Sequence, residues 1–214
     1  MVLLLLSACR TAPQRQSGIL SAATPEEALR TLTSLRESFR GARAFVTIRP
    51  ENGRRFDATV HVDQEGRVLL TGLSPVGTTL FRLAGEGERL LVLQDRERVW
   101  WDGTFEAFAR ETGLFRGLPI DSLSDLAMIL LGFPPEDGSL LEVTAVPTGL
   151  AAVSAADGSA RVLYVPPVHP PLSVRIETRL SAIEVEIHEI VQDATPVAIP
   201  VPGTGWRCCE LPRM

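Results

Sequence analysis

Hydrophobic positions recur first at a helical spacing of about 3.6 residues, then at every second residue, and the change of period falls at Gly41. Ala28, Leu32, Leu35 and Phe39 form one apolar stripe. Thr24-Pro25-Glu26-Glu27 opens that helix with an N-cap Thr, a Pro at the first helical position and a Glu completing a capping box, and Gly41 ends it. Beyond it, Phe56-Asp57-Ala58-Thr59-Val60-His61-Val62-Asp63 alternates, placing Phe56, Ala58, Val60 and Val62 on one face of a strand. Similar runs cover Ala44 to Arg49, Arg67 to Thr71, Thr79 to Ala84, Arg89 to Gln94 and Arg98 to Trp101. Asn52-Gly53, Glu65-Gly66, Pro75-Val76-Gly77 and Gly85-Glu86-Gly87 separate them as turns, so the pattern predicts an antiparallel meander.

Two short helical patterns interrupt the strands. Thr104 can cap one carrying Phe105, Phe108 and Ala109, and Asp121 or Ser122 can cap another carrying Leu123, Leu126, Ile129 and Leu130. Pro134-Pro135 stops the second. Strands are expected again at Leu140 to Val146, Leu150 to Ser154, Ala160 to Val165, Leu172 to Thr178 and Ile183 to Ile190. The residues from 194 to 214 contain Pro196, Pro200 and Pro202 and read as a loose C-terminal tail. Adjacent Trp100 and Trp101 suit a cavity mouth or membrane interface or, more simply, one core Trp and one surface Trp, since strand geometry points them to opposite faces.

Composition narrows the class. With 214 residues, 45% of them apolar and 22% charged, the chain suits one globular domain with a sizeable core. All 21 basic residues are Arg, and 26 acidic residues outweigh them to a net charge of -5. With a single Tyr and no basic cluster in the sequence, a nucleic-acid surface is not expected.

The apolar run Met1 to Ala8 is far shorter than the roughly 20 residues a membrane-spanning helix requires, and it ends in small residues as a secretory signal does. No basic residue precedes the run, so the translation start is expected upstream. Leu6-Ser7-Ala8-Cys9 resembles the lipobox of bacterial lipoproteins, which implies acylation of Cys9 as the mature N-terminus. Arg10 stands where Asp would signal inner-membrane retention, so the resemblance points to the outer membrane. Residues 1–8 are then the end of the signal and residues 9–23 the lipidated Cys with a polar tether. Residues 24–193 form the folded domain. Cys208 and Cys209 are adjacent, a poor geometry for an ordinary disulfide, and no Cys/His spacing suggests a metal.

Enzymatic chemistry finds little support. His61, His169 and His188 are isolated, and no G-x-S-x-G, P-loop or H-E-x-x-H pattern occurs. Glu184, Glu186 and His188 share one strand face, which suits either a metal or, more simply, a solvated charged surface. Asp121 and Asp125 fit the start of a helix, where its dipole favours carboxylates. Neither a catalytic residue nor a cofactor or metal is expected.

Several segments carry a family resemblance. Leu73-Ser74-Pro75-Val76-Gly77-Thr78-Thr79-Leu80-Phe81-Arg82-Leu83 is similar to the Asn-Pro-Leu-Gly turn and following strand of LolB-like lipoproteins. Thr112-Gly113, Leu118-Pro119-Ile120, Ser122-Leu123 and Leu130-Leu131-Gly132-Phe133-Pro134 follow that family's later segments in order. The resemblance to the LolA/LolB lipoprotein-carrier superfamily implies an α+β fold, an incomplete antiparallel β-barrel with helices covering its concave face. It further implies a hydrophobic cavity for acyl chains, a role in lipoprotein or lipid localisation, a LolA-like periplasmic carrier as partner and a monomeric state. Phe56, Val60, Phe81, Leu83, Leu91, Leu93, Leu126 and Ile129 are the cavity candidates, and a packed core is the alternative for the same residues. Leu73 and Val76 mark the loop that in such proteins passes the lipoprotein into the membrane. The alternative function is a structural or partner-binding envelope lipoprotein of the same fold without transfer activity.

Overall fold

A computed structural model describes residues 25–51, 53–112, 120–133, 140–146, 149–155, 160–165, 173–178 and 182–208. Cys9, the signal segment and the tether lie outside the described residues. The first helix, α1 (Pro25–Glu37), leads into six strands in meander order: β1 (Gly41–Pro50), β2 (Phe56–Asp63), β3 (Val68–Leu73), β4 (Thr79–Glu86), β5 (Arg89–Gln94) and β6 (Val99–Thr104). Helices α2 (Phe105–Thr112) and α3 (Leu123–Leu130) follow, then β7 (Leu140–Val146), β8 (Gly149–Ala155), β9 (Ala160–Val165), β10 (Ser173–Thr178), β11 (Ala182–Gln192) and the short β12 (Arg207–Cys208).

The strands form one sheet in the order β12-β6-β5-β4-β3-β2-β1-β11-β10-β9-β8-β7. Every pairing is antiparallel except β12 with β6, and β7 does not pair with β12, so the sheet is an unclosed, incomplete barrel. Hairpin turns explain the adjacency within β1–β6, because two-residue and slightly longer connections leave antiparallel neighbours no other choice. One non-local step joins the halves: β1 pairs with β11 from Ala42–Gln192 to Pro50–Ile183. Both strands therefore run further than their local alternation predicts, β1 beginning at Gly41 and β11 ending at Gln192. The register shifts between Phe45 and Val46, where the chain passes from Ile187 to Glu189 and leaves His188 as the extra residue.

Register sets the inner face. Ala44, Val60, Leu70, Leu83, Val92 and Trp101 lie side by side across β1 to β6. Val174 and Val185 are opposed on β10 and β11 and belong to the same apolar cluster. Helix α3 covers β2, β3 and β4 with Leu123, Leu126 and Ile129, while α2 covers β5 and β6 with Phe105 and Phe108. Helix α1 lies against β7 and β8. Thr104 Oγ1 accepts from Ala107 N at 3.2 Å and Ser122 Oγ accepts from Asp125 N at 3.1 Å, so Ser122 rather than Asp121 caps α3. Phe133 N donates to Met128 O and closes the other end of α3. Gly85 allows the helix to come so close: a Cβ there would stand 2.8 Å from Leu123 Cβ.

The outer face holds a second apolar cluster. Ala84, Leu91 and Leu93 are buried there beneath Leu69, Trp100, Ile199 and Trp206. Ile199 and Trp206 belong to the segment that composition marks as a loose tail. Through Cys208 it is instead laid along the sheet, ending as β12 parallel to β6, because Leu91 and Leu93 would otherwise face water. Prolines suit the segment, since most of it crosses the sheet without joining the ladder. Trp100 and Trp101 also depart from expectation: each is half-buried, Trp100 in the outer cluster and Trp101 in the inner one, its ring 6.3 Å from that of Phe108.

Asp63 is the polar anchor of the tail. Its carboxylate, 3% exposed, accepts from Val197 N at 2.8 Å, from Arg67 Nε at 2.7 Å, and from the backbone N–H groups of Glu65 and Arg67 at 2.9 and 3.0 Å. Burial opposes its charge, and the Val197 and Arg67 donors, joined by Glu65, outweigh that effect and hold the carboxyl below its ordinary value of 3.8. A lowered carboxylate pKa contributes stability that is present above the unfolded-chain value and is lost as pH falls through the folded one. Asp63→Asn is expected to cost about 1–3 kcal/mol at neutral pH and to speed hydrogen exchange at Val197 N. Urea titrations should show the difference between wild type and variant shrinking below about pH 4. Unchanged exchange at Val197 would mean that Ile199 and Trp206 hold the tail unaided.

Candidate lipid-binding face and the Val76 turn

The eight cavity candidates do not share one surface. Val60, Leu83, Leu126 and Ile129 are buried together on the inner face, with Phe56 and Phe81 half-buried beside them. The rings of Phe56 and Phe81 meet edge to face, centroids 5.5 Å apart, near the turn end of β2 and β4. Leu91 and Leu93 lie on the outer face under the tail and cannot line an inner cavity. Their strand neighbours Leu90 and Val92 take the inner positions instead. Sequence reasoning missed those two, together with Phe105 and Phe108. The signal was present: Leu90-Leu91-Val92-Leu93 is apolar at every position, the mark of a strand covered on both faces.

Leu73 and Val76 occupy the β3–β4 turn. Gly77 N donates to Ser74 O at 2.8 Å and Ser74 N to Thr78 O at 2.8 Å, while Ser74 Oγ bonds Thr78 Oγ1 at 2.7 Å. Gly77 has φ +79°, a left-handed conformation that suits the last residue of the four-residue turn Ser74–Gly77 where it rejoins the strand. This closed ring of hydrogen bonds makes the turn a small rigid projection. Leu73 is half-buried at its base, whereas Val76 at the tip is 83% exposed. An apolar side chain held into solvent by a fully bonded turn gains no packing energy from the described fold.

A Thr–His–Asp constellation on the outer face has the wrong hydrogen-bond polarity for a nucleophile. Thr47 Oγ1 lies 2.7 Å from Asp57 Oδ1 and 2.7 Å from His188 Nε2. The carboxylate can only accept, so the Thr47 hydroxyl donates to it and His188 must donate to Thr47. The imidazole therefore does not accept the hydroxyl's proton, and Thr47 is fully buried. Of the three residues proposed as a metal face, Glu186 is paired with Arg49 and His188 with Thr47, beside the Phe45 ring. Among the described residues, no group of three His, Cys, Asp or Glu side chains is placed to hold a metal ion. No helix among them is long and apolar enough to cross a membrane.

No protein-family model matches the chain, and no curated protein does. Solved structures of similar fold include a LolA superfamily protein from Nitrosomonas europaea, 11% identical, covering 82% of this chain and 96% of its own length with a TM-score of 0.48. An uncharacterised conserved protein from Thermus thermophilus is 8% identical over 86% of this chain and 96% of its own, with a TM-score of 0.46. The lipoprotein LppX of Mycobacterium tuberculosis is 10% identical over 82% of this chain and 98% of its own, with a TM-score of 0.40.

The turn geometry separates two roles at adjacent residues. Val76→Glu is expected to change stability by less than about 0.5 kcal/mol, because an exposed tip contributes no packing. Gly77→Ala meets no atom within 4 Å yet forces a left-handed backbone on Ala, and should cost about 1 kcal/mol. Thermal unfolding of both variants checks this; a large loss for Val76→Glu would show that the tip packs against the chain.

Proposed function

We propose that this chain is an envelope lipoprotein of the LolA/LolB-like carrier class, anchored through an acylated Cys9, which shelters acyl chains against its inner face. It takes part in lipoprotein or lipid localisation at the periplasmic side of the outer membrane, receiving its cargo from a LolA-like carrier. Residues 1–8 are the signal end and 9–23 the tether, and the lipid-binding body runs from 24 through the tail that is laid on the sheet as far as Cys208. The observation that carries the reading is the unclosed sheet with a continuous apolar inner face beneath α2 and α3, and an apolar tip, Val76, projecting from its rim. A lipidated cargo must hide its chains from water, and each methylene sheltered contributes roughly 0.8 kcal/mol. Val76 is the element that releases the cargo into the bilayer. The work is transport rather than catalysis, in keeping with the donor polarity around Thr47.

A second reading is favoured by the near-complete burial of Val60 and Ile129: a filled core, and a structural or partner-binding lipoprotein. Fluorescent fatty acid binding separates the two. Under the carrier reading Leu126→Asp abolishes binding in a protein that still folds, because a carboxylate replaces a methyl surface where acyl chains lie. Val76→Glu keeps acyl binding but stops delivery of a bound lipoprotein to liposomes. Loss of folding along with binding in Leu126→Asp, and no bound lipid by mass spectrometry of the wild type, would favour the filled core. Cys9→Ala should leave a folded protein that no longer fractionates with membranes or takes up labelled palmitate; retained label would place the lipid elsewhere.

A further inference from the structure

The antiparallel register puts three turns at one end of the sheet. Phe56, Leu73, Gln94 and Val99 are strand-end residues at that end, so the β1–β2, β3–β4 and β5–β6 turns project there together. Successive tips are separated by two strands, about 10 Å. Val76 stands at the middle tip with Leu80, 38% exposed, just beyond it. The flanking tips carry Arg54 and Arg55 on one side and Arg96 and Arg98 on the other, all exposed and, among the described residues, none held in an ion pair. Nearby charges offset them only in part. Asp95 is engaged by Arg82, while Glu51, which accepts from Ala182 N, and Glu97 are the two carboxylates on these turns without a cation among the described residues, against four arginines.

The opposite end has the reverse character. Glu65, Glu86 and Glu88 are exposed there, while Arg67 is tied to Asp63 and Glu65, and Arg89 to Asp102. The described turns of the meander thus differ in charge from one end to the other, with four arginines on the two turns that flank an apolar tip; at the opposite end Arg40 is exposed and donates to the Glu37 and Phe39 carbonyls.

We propose that this end docks on an anionic lipid surface, with Arg54, Arg55, Arg96 and Arg98 binding headgroup phosphates while Val76 enters the apolar boundary. Arginine suits the task, since its guanidinium forks onto phosphate oxygens and its stem lies along apolar surface. Nucleic acid is disfavoured because the described tips carry no aromatic side chain on which a base could stack. The inference deepens the release role given to Val76 but stands on the arginines, and it does not require an acyl cavity.

The test uses the full chain bearing Cys9→Ala, so that no covalent anchor masks docking, in flotation with phosphatidylcholine vesicles with and without phosphatidylglycerol. Binding is expected only to the anionic vesicles and should weaken as salt rises. Replacing all four arginines by Gln should lower partitioning at least about tenfold with an unchanged melting temperature. Glu65→Gln, Glu86→Gln and Glu88→Gln together serve as the control and should not weaken it. Equal binding to both vesicle types, no vesicle binding at all, or wild-type binding by the arginine variant would overturn the proposal. Anionic selectivity retained in Val76→Glu, with delivery lost, would uphold it and confine the defect to the tip.

Discussion

Strand β5 imposes the constraint on which the rest of the structure depends. Leu90, Leu91, Val92 and Leu93 follow one another without a polar break, and strand geometry sends alternate members to opposite faces. Each such side chain contributes about 1.5–3 kcal/mol once buried, so the sheet requires a cover on both sides. Inside, α2 and α3 supply it with Phe105, Phe108, Leu123, Leu126 and Ile129. Outside, the tail supplies it with Ile199 and Trp206. Coverage by the tail brings polar backbone onto the sheet, and the Asp63 carboxylate receives one of the buried N–H groups.

This arrangement assigns different work to different parts of the sheet. Its inner face lies under α2 and α3, and the outer face around Leu91 and Leu93 is covered by the chain's own tail. The rim at the turn end is left exposed. At the turn end an apolar tip is held out by hydrogen bonds within Ser74–Thr78, and the arginines on the adjacent turns are exposed, with no ion pair among the described residues. The stability of the body and the availability of the rim are therefore separable properties, since the exposed side chains of the tips contribute little to the core.

The face carrying Thr47, Asp57 and His188 shows how proximity differs from chemistry. Three residue types familiar from hydrolases lie within hydrogen-bond reach, yet the direction of donation runs from His188 through Thr47 to Asp57. The bulge opposite Phe45 and Val46 is what turns His188 towards Thr47. Its effect is to satisfy a buried hydroxyl beneath the outer surface, a structural service to the β1–β11 seam that joins the two halves of the sheet.

Local pattern determined the elements, because periodicity, turn glycines and capping hydroxyls act over a few residues. The alternation of Phe56 to Val62, the turns around Gly66 and Gly77, and the cap Thr104 were all legible, as were Val60, Leu83, Leu126 and Ile129 as inward residues, while the cap of α3 was narrowed to Asp121 or Ser122. Which face Leu91 and Leu93 occupy was not legible, because a run apolar at every position has no phase of its own. Nor did the composition of the tail show that it would be held, since Val197, Ile199 and Trp206 are too sparse to form an element alone. Only the tertiary structure supplied the partners: β1–β11 pairing fixed the seam, and the outer cluster with Asp63 gave a proline-bearing segment its path. Those contacts join residues distant in the chain, and their energy exists only once both surfaces are present.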